Sequence, residues 1–226
     1  MEKRWIKYFL ALVLSLTNLN LFGQSEIGSS EFIIGRLKYH GGGDWYNDPS
    51  TIPNLLGFLG KNTDIPVGKD EKKVQIMDED LFSIPVLFMT GHGKIQFSDE
   101  EAQRLRKYLT NGGFLYADDD YGMDKYFRQQ IQKVFPDKEL VELPNSHPIY
   151  HIHFNFESGL PKIHEHDPGP GRGYGIFHEG RMVVYYTFNT NISDGWVDPQ
   201  VHGDPPEVRT LALQMGTNIM VYALTR

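Results

Sequence analysis

Three short polar segments contain the residue types that can move protons or hold a cation. They read HGGGDWY (residues 40–46), TGHG (residues 90–93) and DDDYG (residues 118–122), and each follows an apolar run that predicts a strand. Parallel strands end at the same edge of a sheet, where ligand crevices form, so we expect the three segments to share one cleft. Polar, glycine-rich segments are also ordinary in loops, so their presence alone leaves the function open.

The aspartate triplet Asp118, Asp119 and Asp120 is the sharpest of these signals. Adjacent carboxylates repel one another, so in a cleft they need a cation, hydrogen-bond donors or a raised pKa. On extended backbone Asp118 and Asp120 point to one side and Asp119 to the other. Helix capping by Asp119 or Asp120 is one explanation. Capping together with a functional carboxylate is the other, because a cap leaves at least one carboxyl without a role.

His92 stands between two glycines and is the natural acid–base partner for these carboxyls. We expect Asp119 or Asp120 to act as general base or nucleophile and His92 to act as acid/base. A loop histidine that only bonds backbone is the alternative. Asp44 and Asp194 each lie close to a tryptophan, a combination suited to sugar rings and their hydroxyls, although ordinary aromatic packing gives the same pattern. The candidate substrate-binding residues are His40, Gly42, Asp44, Trp45, His147 and Trp196.

Histidine spacing offers a further candidate chemistry. His147, His151 and His153 follow one another at i, i+4 and i+6, and His164 and His166 lie two apart. Residues two apart on a strand share a face and can chelate a transition metal, although scattered histidines more often only form hydrogen bonds. No cofactor is required by the sequence, but a divalent metal could bridge the carboxylates. The candidate ligands are Asp118, His151 and His153.

Composition limits these options. The chain has 226 residues, a formal net charge of -7 and no cysteine. The missing thiol excludes disulfides, iron–sulfur clusters, cysteine-ligated zinc and cysteine nucleophiles. The acidic balance argues against nucleic-acid binding. The expected partner is a carbohydrate or another small molecule, and the sequence gives no indication of the oligomeric state.

The N-terminus is typical of a secretory signal peptide. Basic residues precede the apolar run FLALVLSL (residues 9–16), and Gly23 supplies a small residue for cleavage. The run is shorter than the roughly 20 residues that span a bilayer, so an uncleaved anchor is the weaker alternative. We expect a signal peptide over residues 1–23, a short leader over 24–31, a periplasmic or secreted location, and no stable membrane span after cleavage.

The elements that position these residues alternate between strand and helix. Strands are predicted at 32–39, 74–77, 85–90 and 114–117, and a hairpin at 175–178 and 182–188. Helices are predicted at 51–60, from the Ser98 capping box to Asn111, at 123–135, and at 207–222 with Val208, Leu211, Met215 and Ile219 inward. The alternation predicts one α/β domain over 32–226 with a mainly parallel sheet. A His/Gly/Pro-rich insertion interrupts it at about 143–175.

The chain resembles the bacterial family called domain of unknown function 4159. The matching runs include YHGGGDWYNDP (39–49), MTGHG (89–93), NGGFLYADDDYGMD (111–124), ELPNSHPIYH (142–151), GLPKIHEHD (159–167) and DGWVDP (194–199), and the resemblance covers about 32–226. It implies a class I glutamine-amidotransferase-like fold, which is a flavodoxin-like three-layer α/β sandwich. The segments NGGFLYADDDYG, HPI and GLP are also similar to those of ThuA-type trehalose-utilisation proteins.

The resemblance implies a fold without assigning an activity. Amidotransferase relatives carry a nucleophilic cysteine in the turn after the strand equivalent to 113–117, and here Asp118–Asp120 occupy that turn. Glutamine hydrolysis through a thioester is therefore excluded, and no G-x-S-x-G motif supplies a serine in its place. Our leading hypothesis is a hydrolase-like or sugar-processing enzyme that uses Asp and His. The alternative is a non-catalytic ligand-binding or assembly module on the same fold.

Overall fold

One seven-stranded sheet organises the part of the chain that the structure, a computed structural model, describes: residues 31–164 and 166–226. In chain order the strands are β1 (Ile34–Leu37), β2 (Lys72–Val74), β3 (Val86–Met89), β4 (Phe114–Asp118), β5 (Val141–Glu142), β6 (Arg172–His178) and β7 (Arg181–Phe188). Their order in the sheet is β2-β1-β3-β4-β7-β6-β5. The first five strands in this order, β2, β1, β3, β4 and β7, pair in parallel. Strand β6 pairs antiparallel with both of its neighbours, β7 and β5. The expected mainly parallel sheet is confirmed.

The predicted signal peptide (1–23) and nearly all of the leader (24–31) lie outside the described residues. Cleavage and export therefore stay predictions. Within the described ranges, no helix combines the length and the apolar character needed to cross a bilayer.

Helices cover both faces of the sheet. The helices of the described residues are α1 (Thr51–Asn62), α2 (Asp99–Thr110), α3 (Asp124–Val134), the short α4 (Pro199–His202) and α5 (Pro206–Thr225). Buried residues of α2 and α3 pack with one face of the sheet, and those of α1 and α5 pack with the other. The result is three layers, helix–sheet–helix, as an α/β chain with two apolar sheet faces requires.

Strand β3 is apolar at every position because both of its faces are covered. In β3, Leu87 and Met89 join the core under α2 and α3, while Val86 and Phe88 join the core under α1 and α5. All four are buried. A continuous apolar run is the expected signature of such a strand.

The start of α2 shows the predicted capping box. Ser98 Oγ accepts a hydrogen bond from the Glu101 amide at 3.0 Å, and Glu101 Oε2 accepts one from the Ser98 amide at 2.7 Å. Both bonds satisfy amide groups that have no partner inside the helix. This cap fixes the direction in which α2 leaves the edge of the sheet that carries the TGHG segment.

The predicted inward face of α5 is wrong in part. Leu211 is exposed, and the buried face instead includes Ala212, Met215 and Gly216. A Cβ on Gly216 would lie 2.7 Å from Trp196 Cζ2, so the helix approaches the indole through its small residues. The prediction placed Leu211 inward because of its hydrophobicity. In the structure, the face of α5 that packs against the large ring of Trp196 consists of small residues.

Strand β2 ends earlier than its apolar residues suggested. It covers Lys72–Val74 rather than 74–77, because Asp78 forms a turn with Gln75. The Gln75 amide donates to Asp78 Oδ2 at 2.8 Å, and the Asp78 amide donates to the Gln75 carbonyl at 3.1 Å. The amide and the carbonyl of Gln75 are bonded within this turn, so they do not pair with a neighbouring strand.

Candidate functional site

The three polar segments meet at the carboxyl edge of the parallel strands. The His92 amide and ring both contact the carboxylate of Asp44, which lies in the loop after β1. The same ring, in the loop after β3, has its Nδ1 3.5 Å from Oδ2 of Asp120, which follows β4. The three segments that were expected to share a cleft therefore meet, with His92 between Asp44 and Asp120.

Asp44 and His92 form a hydrogen-bonded pair. His92 Nδ1 lies 3.1 Å from Asp44 Oδ2, and the backbone amide of His92 donates to Asp44 Oδ1. Although partial burial raises the pKa of Asp44, the hydrogen bonds from the His92 amide and ring outweigh it and hold that pKa below its usual range. The His92 side chain is 54 % exposed. The hydrogen bond to Asp44 thus uses Nδ1 of His92, and Nε2 is the ring nitrogen available to a ligand.

Asp120 is a buried carboxyl held by two amides. Its Oδ1 accepts a hydrogen bond from Asn191 Nδ2 at 2.9 Å, and its Oδ2 accepts one from Asn47 Nδ2. Burial is the largest cause of its raised pKa, and the nearby carboxylates of Asp194 and Asp118 raise it further. Asp120 is the member of the triplet that faces His92.

Asp119 and Asp118 have different surroundings. Asp119 Oδ1 accepts the Met123 amide at 2.9 Å just before α3, and burial raises its pKa to about 7. Asp118 is fully buried, accepts hydrogen bonds from Thr187 Oγ1 and the Ser193 amide, and has its pKa raised by burial to about 6. A local bond at the helix start thus accounts for Asp119, and interior hydrogen bonds account for Asp118. Asp120 remains as the carboxyl of the triplet that lies beside His92.

A second group of carboxyls and histidines joins His164, which precedes β6, to Asp194 and Asp204, which follow β7. Asp194 Oδ2 lies 2.8 Å from His164 Nδ1, and His164 Nε2 lies 2.8 Å from Asp204 Oδ1. The bond to Asp194 is the main cause of a rise in the pKa of His164 to about 9, which burial opposes. Asn191 connects this group to the first, because its Nδ2 also lies 3.1 Å from Asp194 Oδ2.

Sequence reasoning did not assign a role to Asn47, Asp48, Asn191 or His202, and it considered His164 only as a possible metal ligand together with His166. One signal could have found part of this set. Strand β7 pairs in parallel with β4, so its carboxyl end reaches the same edge, and the segment NTN (189–191) follows it directly. The hairpin prediction identified that strand without using its direction.

Backbone conformation sets this edge of the sheet apart. Among the described residues, five that are not glycine have positive φ, and four of them belong to the loops of the cleft. They are Asp48 (φ 50°), Tyr121 (φ 63°), Asn189 (φ 57°) and Asn191 (φ 50°). Residues with a side chain are less stable in this left-handed region than glycine, and the penalty is smallest for Asn and Asp. The backbone of these loops is therefore locally strained.

The buried side chain of Arg36 holds the loop after β1 through hydrogen bonds to its backbone. It is 1 % exposed, and its Nε lies 2.6 Å from Glu71 Oε2. Its terminal nitrogens donate to the carbonyls of Asn47 at 3.1 Å and Asp48 at 3.2 Å. The buried guanidinium thereby places the backbone between Asp44 and Asp48 without contacting their carboxylates.

The other predicted substrate-binding residues lie in varied surroundings. His40 is exposed, with Nε2 3.8 Å from Glu101 Oε1, and Gly42 has open space beside it. Trp45 is half-buried, with Lys38 Nζ 5.6 Å from its ring centre. His147 accepts the Ile149 amide at 3.3 Å and packs near Tyr150, Phe177 and Tyr222.

Trp196 belongs to the core rather than to the cleft surface. It is 0 % exposed, its indole nitrogen donates to the Ala212 carbonyl at 2.8 Å, and its ring packs near Phe88 and Tyr116. The ordinary aromatic packing named as an alternative therefore describes this residue. Its neighbour in sequence, Asp194, remains at the site.

The predicted metal ligands Asp118, His151 and His153 are not brought together. Both ring nitrogens of His151 are engaged, Nδ1 with Asn155 Oδ1 at 2.6 Å and Nε2 with the Asn145 carbonyl at 2.7 Å. The segment around His153 is held against α5, because Asn218 exchanges two 2.8 Å hydrogen bonds with the backbone of Phe154. Spacing along the chain suggested a shared face that this irregular segment does not have.

A different set of residues has the geometry of a metal centre. Asp48, Asp194 and His202 each offer one ligand atom, and these atoms all lie within 4.8 Å of one another. His202 lies at the end of α4, and its Nε2 is 3.9 Å from Asp48 Oδ2 and 4.0 Å from Asp194 Oδ2.

The fold and the site together define an α/β protein with a cluster of aspartates and histidines at the carboxyl edge of its parallel strands. A family model described as Domain of unknown function (DUF4159) matches residues 33–224, and the chain belongs to this family. Comparison with curated proteins finds no match.

Proposed function

We propose that the protein is an exported hydrolase that acts on a carbohydrate or a similar polyhydroxylated molecule through acid–base chemistry at His92. The observation that supports this most strongly is the position of the His92 ring. Its Nδ1 lies 3.1 Å from Asp44 Oδ2 and 3.5 Å from Asp120 Oδ2, while the side chain stays open to solvent. A histidine oriented by a carboxylate and open on its far side is the usual arrangement of a general base.

The chemistry follows from which nitrogen is free. Asp44 accepts a hydrogen bond from the N–H at Nδ1, so Nε2 carries the lone pair. This tautomer is assigned from the hydrogen bond. His92 Nε2 takes a proton from a water molecule as the water oxygen forms a bond to the electrophilic carbon of the substrate. The bond from that carbon to the leaving group breaks in the same step, the leaving group takes a proton from solvent, and the imidazolium then releases its proton to solvent. The carboxylate of Asp44 stabilises the positive ring between these two steps.

Exposed aromatic rings next to the carboxyls support a sugar-like substrate. Tyr46 is 62 % exposed and lies two residues from Asp44, and Tyr121 is 52 % exposed and follows Asp120. Aromatic faces stack on the apolar face of a sugar ring, and neighbouring carboxylates and amides bind its hydroxyls. Asn47 and Asn191 supply such amides within the site.

The strand order supports the finer fold assignment that the resemblance implies. The five parallel strands stand in the order β2-β1-β3-β4-β7, which corresponds to the 2-1-3-4-5 order of flavodoxin-like proteins. We accordingly propose a flavodoxin-like, class I glutamine-amidotransferase-like domain related to ThuA-type proteins, with aspartates in place of the nucleophilic cysteine. Export is proposed from the N-terminal sequence, and a periplasmic or secreted location follows from it.

One observation favours a second function, a non-catalytic ligand-binding module. Asp120 is 4 % exposed, and both of its carboxyl oxygens already accept amide hydrogen bonds. A carboxyl satisfied in this way contributes to a rigid polar network as readily as to a reaction.

Turnover of a panel of nitrophenyl glycosides and oligosaccharides tests the two functions. If the hydrolase proposal is correct, His92→Ala lowers kcat/KM by at least about 10²-fold, the lower end of the contribution of acid–base catalysis. The matched control is His178→Ala, which removes a histidine from the end of β6 and leaves the rate unchanged.

Two outcomes would contradict the hydrolase. Wild-type protein that binds a panel sugar in calorimetry without converting it would favour the binding module. A His92→Ala variant that keeps the wild-type rate would remove His92 from the reaction.

A further inference from the structure

We propose that Asp48, Asp194 and His202 bind a divalent transition-metal ion at the edge of the cleft. One ligand atom from each residue lies within 4.8 Å of the other two. The residues come from three separate segments, the loop before α1, the 3-10 helix Ile192–Trp196 and α4, so the fold rather than the local sequence brings them together.

The distances between the side chains suit one bound ion. His202 Nε2 lies 3.9 Å from Asp48 Oδ2 and 4.0 Å from Asp194 Oδ2. Zinc binds nitrogen and oxygen at about 2.0–2.2 Å, so two ligands on the same ion lie about 3–4 Å apart. The three side chains therefore need only small adjustments to share a cation.

The donor types select the class of ion. An imidazole nitrogen with two carboxylate oxygens suits Zn²⁺ or Mn²⁺, whereas Mg²⁺ and Ca²⁺ prefer oxygen ligands alone. His202 is exposed over 31 % of its side chain, so the ion has a path from solvent.

The charge around the three residues favours a cation. Four carboxyls, Asp48, Asp118, Asp120 and Asp194, lie in this part of the fold, and in the described ranges no Lys or Arg forms an ion pair with any of them. Arg36 reaches the carbonyl of Asp48 instead of its carboxylate. In the described ranges the ion-pair partners of Asp48, Asp120 and Asp194 are histidines, and a divalent ion would offset the repulsion among the carboxyls.

Asn191 holds one of the proposed ligands from a second side. The residue is 1 % exposed, and its Nδ2 lies 3.1 Å from Asp194 Oδ2, 2.9 Å from Asp120 Oδ1 and 2.9 Å from His166 Nε2. The amide nitrogen therefore faces the polar groups around the proposed ion, and its hydrogen bond orients the Asp194 carboxylate.

His164 holds one of the proposed ligands in place. Its Nδ1 lies 2.8 Å from Asp194 Oδ2, and its Nε2 lies 2.8 Å from Asp204 Oδ1. Hydrogen bonds of this kind around a metal centre orient the ligating groups. His164 is therefore a positioning residue rather than a ligand.

Calorimetric titration of the untagged protein, first stripped with a chelator, tests the site with ZnCl₂ and MnCl₂ as probes. We expect one ion per chain, and at least 10-fold weaker binding in His202→Ala and in Asp48→Asn. Asn tolerates the positive φ of Asp48, so the second variant keeps the backbone while removing the charge. The matched control His153→Ala removes an exposed histidine far from the cluster and keeps the wild-type affinity.

Three results would overturn the proposal: no binding by the wild type, unchanged affinity in both ligand variants, or equal weakening in His153→Ala. Circular dichroism establishes that each variant is folded, so a loss of affinity reports on the site. The metal proposal does not rest on the hydrolase proposal, because the titration contains no sugar. His92→Ala is expected to bind the ion normally, which separates failure of one proposal from failure of the other.

Discussion

Asp118 Oδ2 accepts a hydrogen bond from the Ser193 amide at 2.6 Å, and this bond joins the end of β4 to the 3-10 helix that follows β7. The same carboxyl accepts a bond from Thr187 Oγ1 on β7 itself. Asp118 is fully buried, so it acts inside the sheet edge that supports the cleft. The first aspartate of the triplet thereby sets the position of Asp194, one residue beyond Ser193.

Removing this carboxyl is expected to destabilise the fold. Asp118→Ala leaves the buried Ser193 amide without an acceptor, and an unsatisfied buried group costs about 1–3 kcal/mol. Urea unfolding should show a loss of about 2 kcal/mol. Asp70→Ala, at an exposed carboxyl, is the control and should change stability by less than about 0.5 kcal/mol. Equal stability of the two variants would mean that the carboxyl carries no structural role.

Asp119 predicts a specific dependence of stability on pH. Burial raises its folded-state pKa to about 7 from the ordinary value of 3.8, so between these values the folded chain binds more protons than the unfolded chain. Stability therefore falls as pH rises through this window. Asp119→Asn keeps an oxygen for the Met123 amide and removes the titration.

Thermal unfolding of Asp119→Asn and wild type at several pH values checks this. The two should have similar midpoints at pH 4, and the variant should melt higher at pH 8 by at least about 2 °C, the effect of about 1 kcal/mol in a chain of this size. A variant that melts below the wild type at pH 8 would contradict the expected cost of ionising Asp119.

Two helical glycines should respond in opposite directions to alanine. At Gly216 in α5, a Cβ would meet Leu55 Cδ1 and Trp196 Cζ2 at 2.7 Å, so Gly216→Ala should cost about 1–3 kcal/mol by overpacking. At Gly57 in α1 no atom lies within 4 Å of the new Cβ, so Gly57→Ala should stabilise by about 0.5–1 kcal/mol. Denaturant midpoints of the pair measure both effects. A gain at Gly216 would show that α5 can move away from the indole.

If His92 is the general base, Asp44→Asn should lower the rate without weakening substrate binding. The amide oxygen can still accept the His92 backbone hydrogen bond, but the anion beside Nδ1 is lost. The ring then lacks a charged acceptor during proton transfer, so kcat should fall by about 10²-fold while KM changes little. A rise in KM at unchanged kcat would indicate that Asp44 binds substrate instead of orienting His92.

Periodic elements were predictable because their physical causes are local. The apolar run that became β3 and the capping box at Ser98 each depend on neighbouring residues, and both were confirmed. The ends of β2 and the inward face of α5 were not, because Asp78 forms a turn and Trp196 requires small residues opposite it. Tertiary packing supplied the information that the sequence pattern lacked.

The site followed the same division. The strand ends predicted that Asp44, His92 and Asp120 would meet, since the direction of a parallel strand fixes the edge where its loop lies. The histidines at 147–153 were assigned by spacing alone, and spacing has no fixed meaning in a segment without regular structure. Asp48, Asp194 and His202 come from distant parts of the chain, so only the folded structure reveals their proximity.

The four residues with left-handed backbone around the site also predict which side chains related proteins should keep. Glycine would hold the same backbone at Asp48, Tyr121, Asn189 and Asn191 with less steric conflict, so random substitution that improved stability alone would tend to replace them. Descendants that keep bulky or polar side chains at these positions would be retaining them against that pressure. Their persistence in related chains would be a record of selection on the cleft that can be read before any substrate is known.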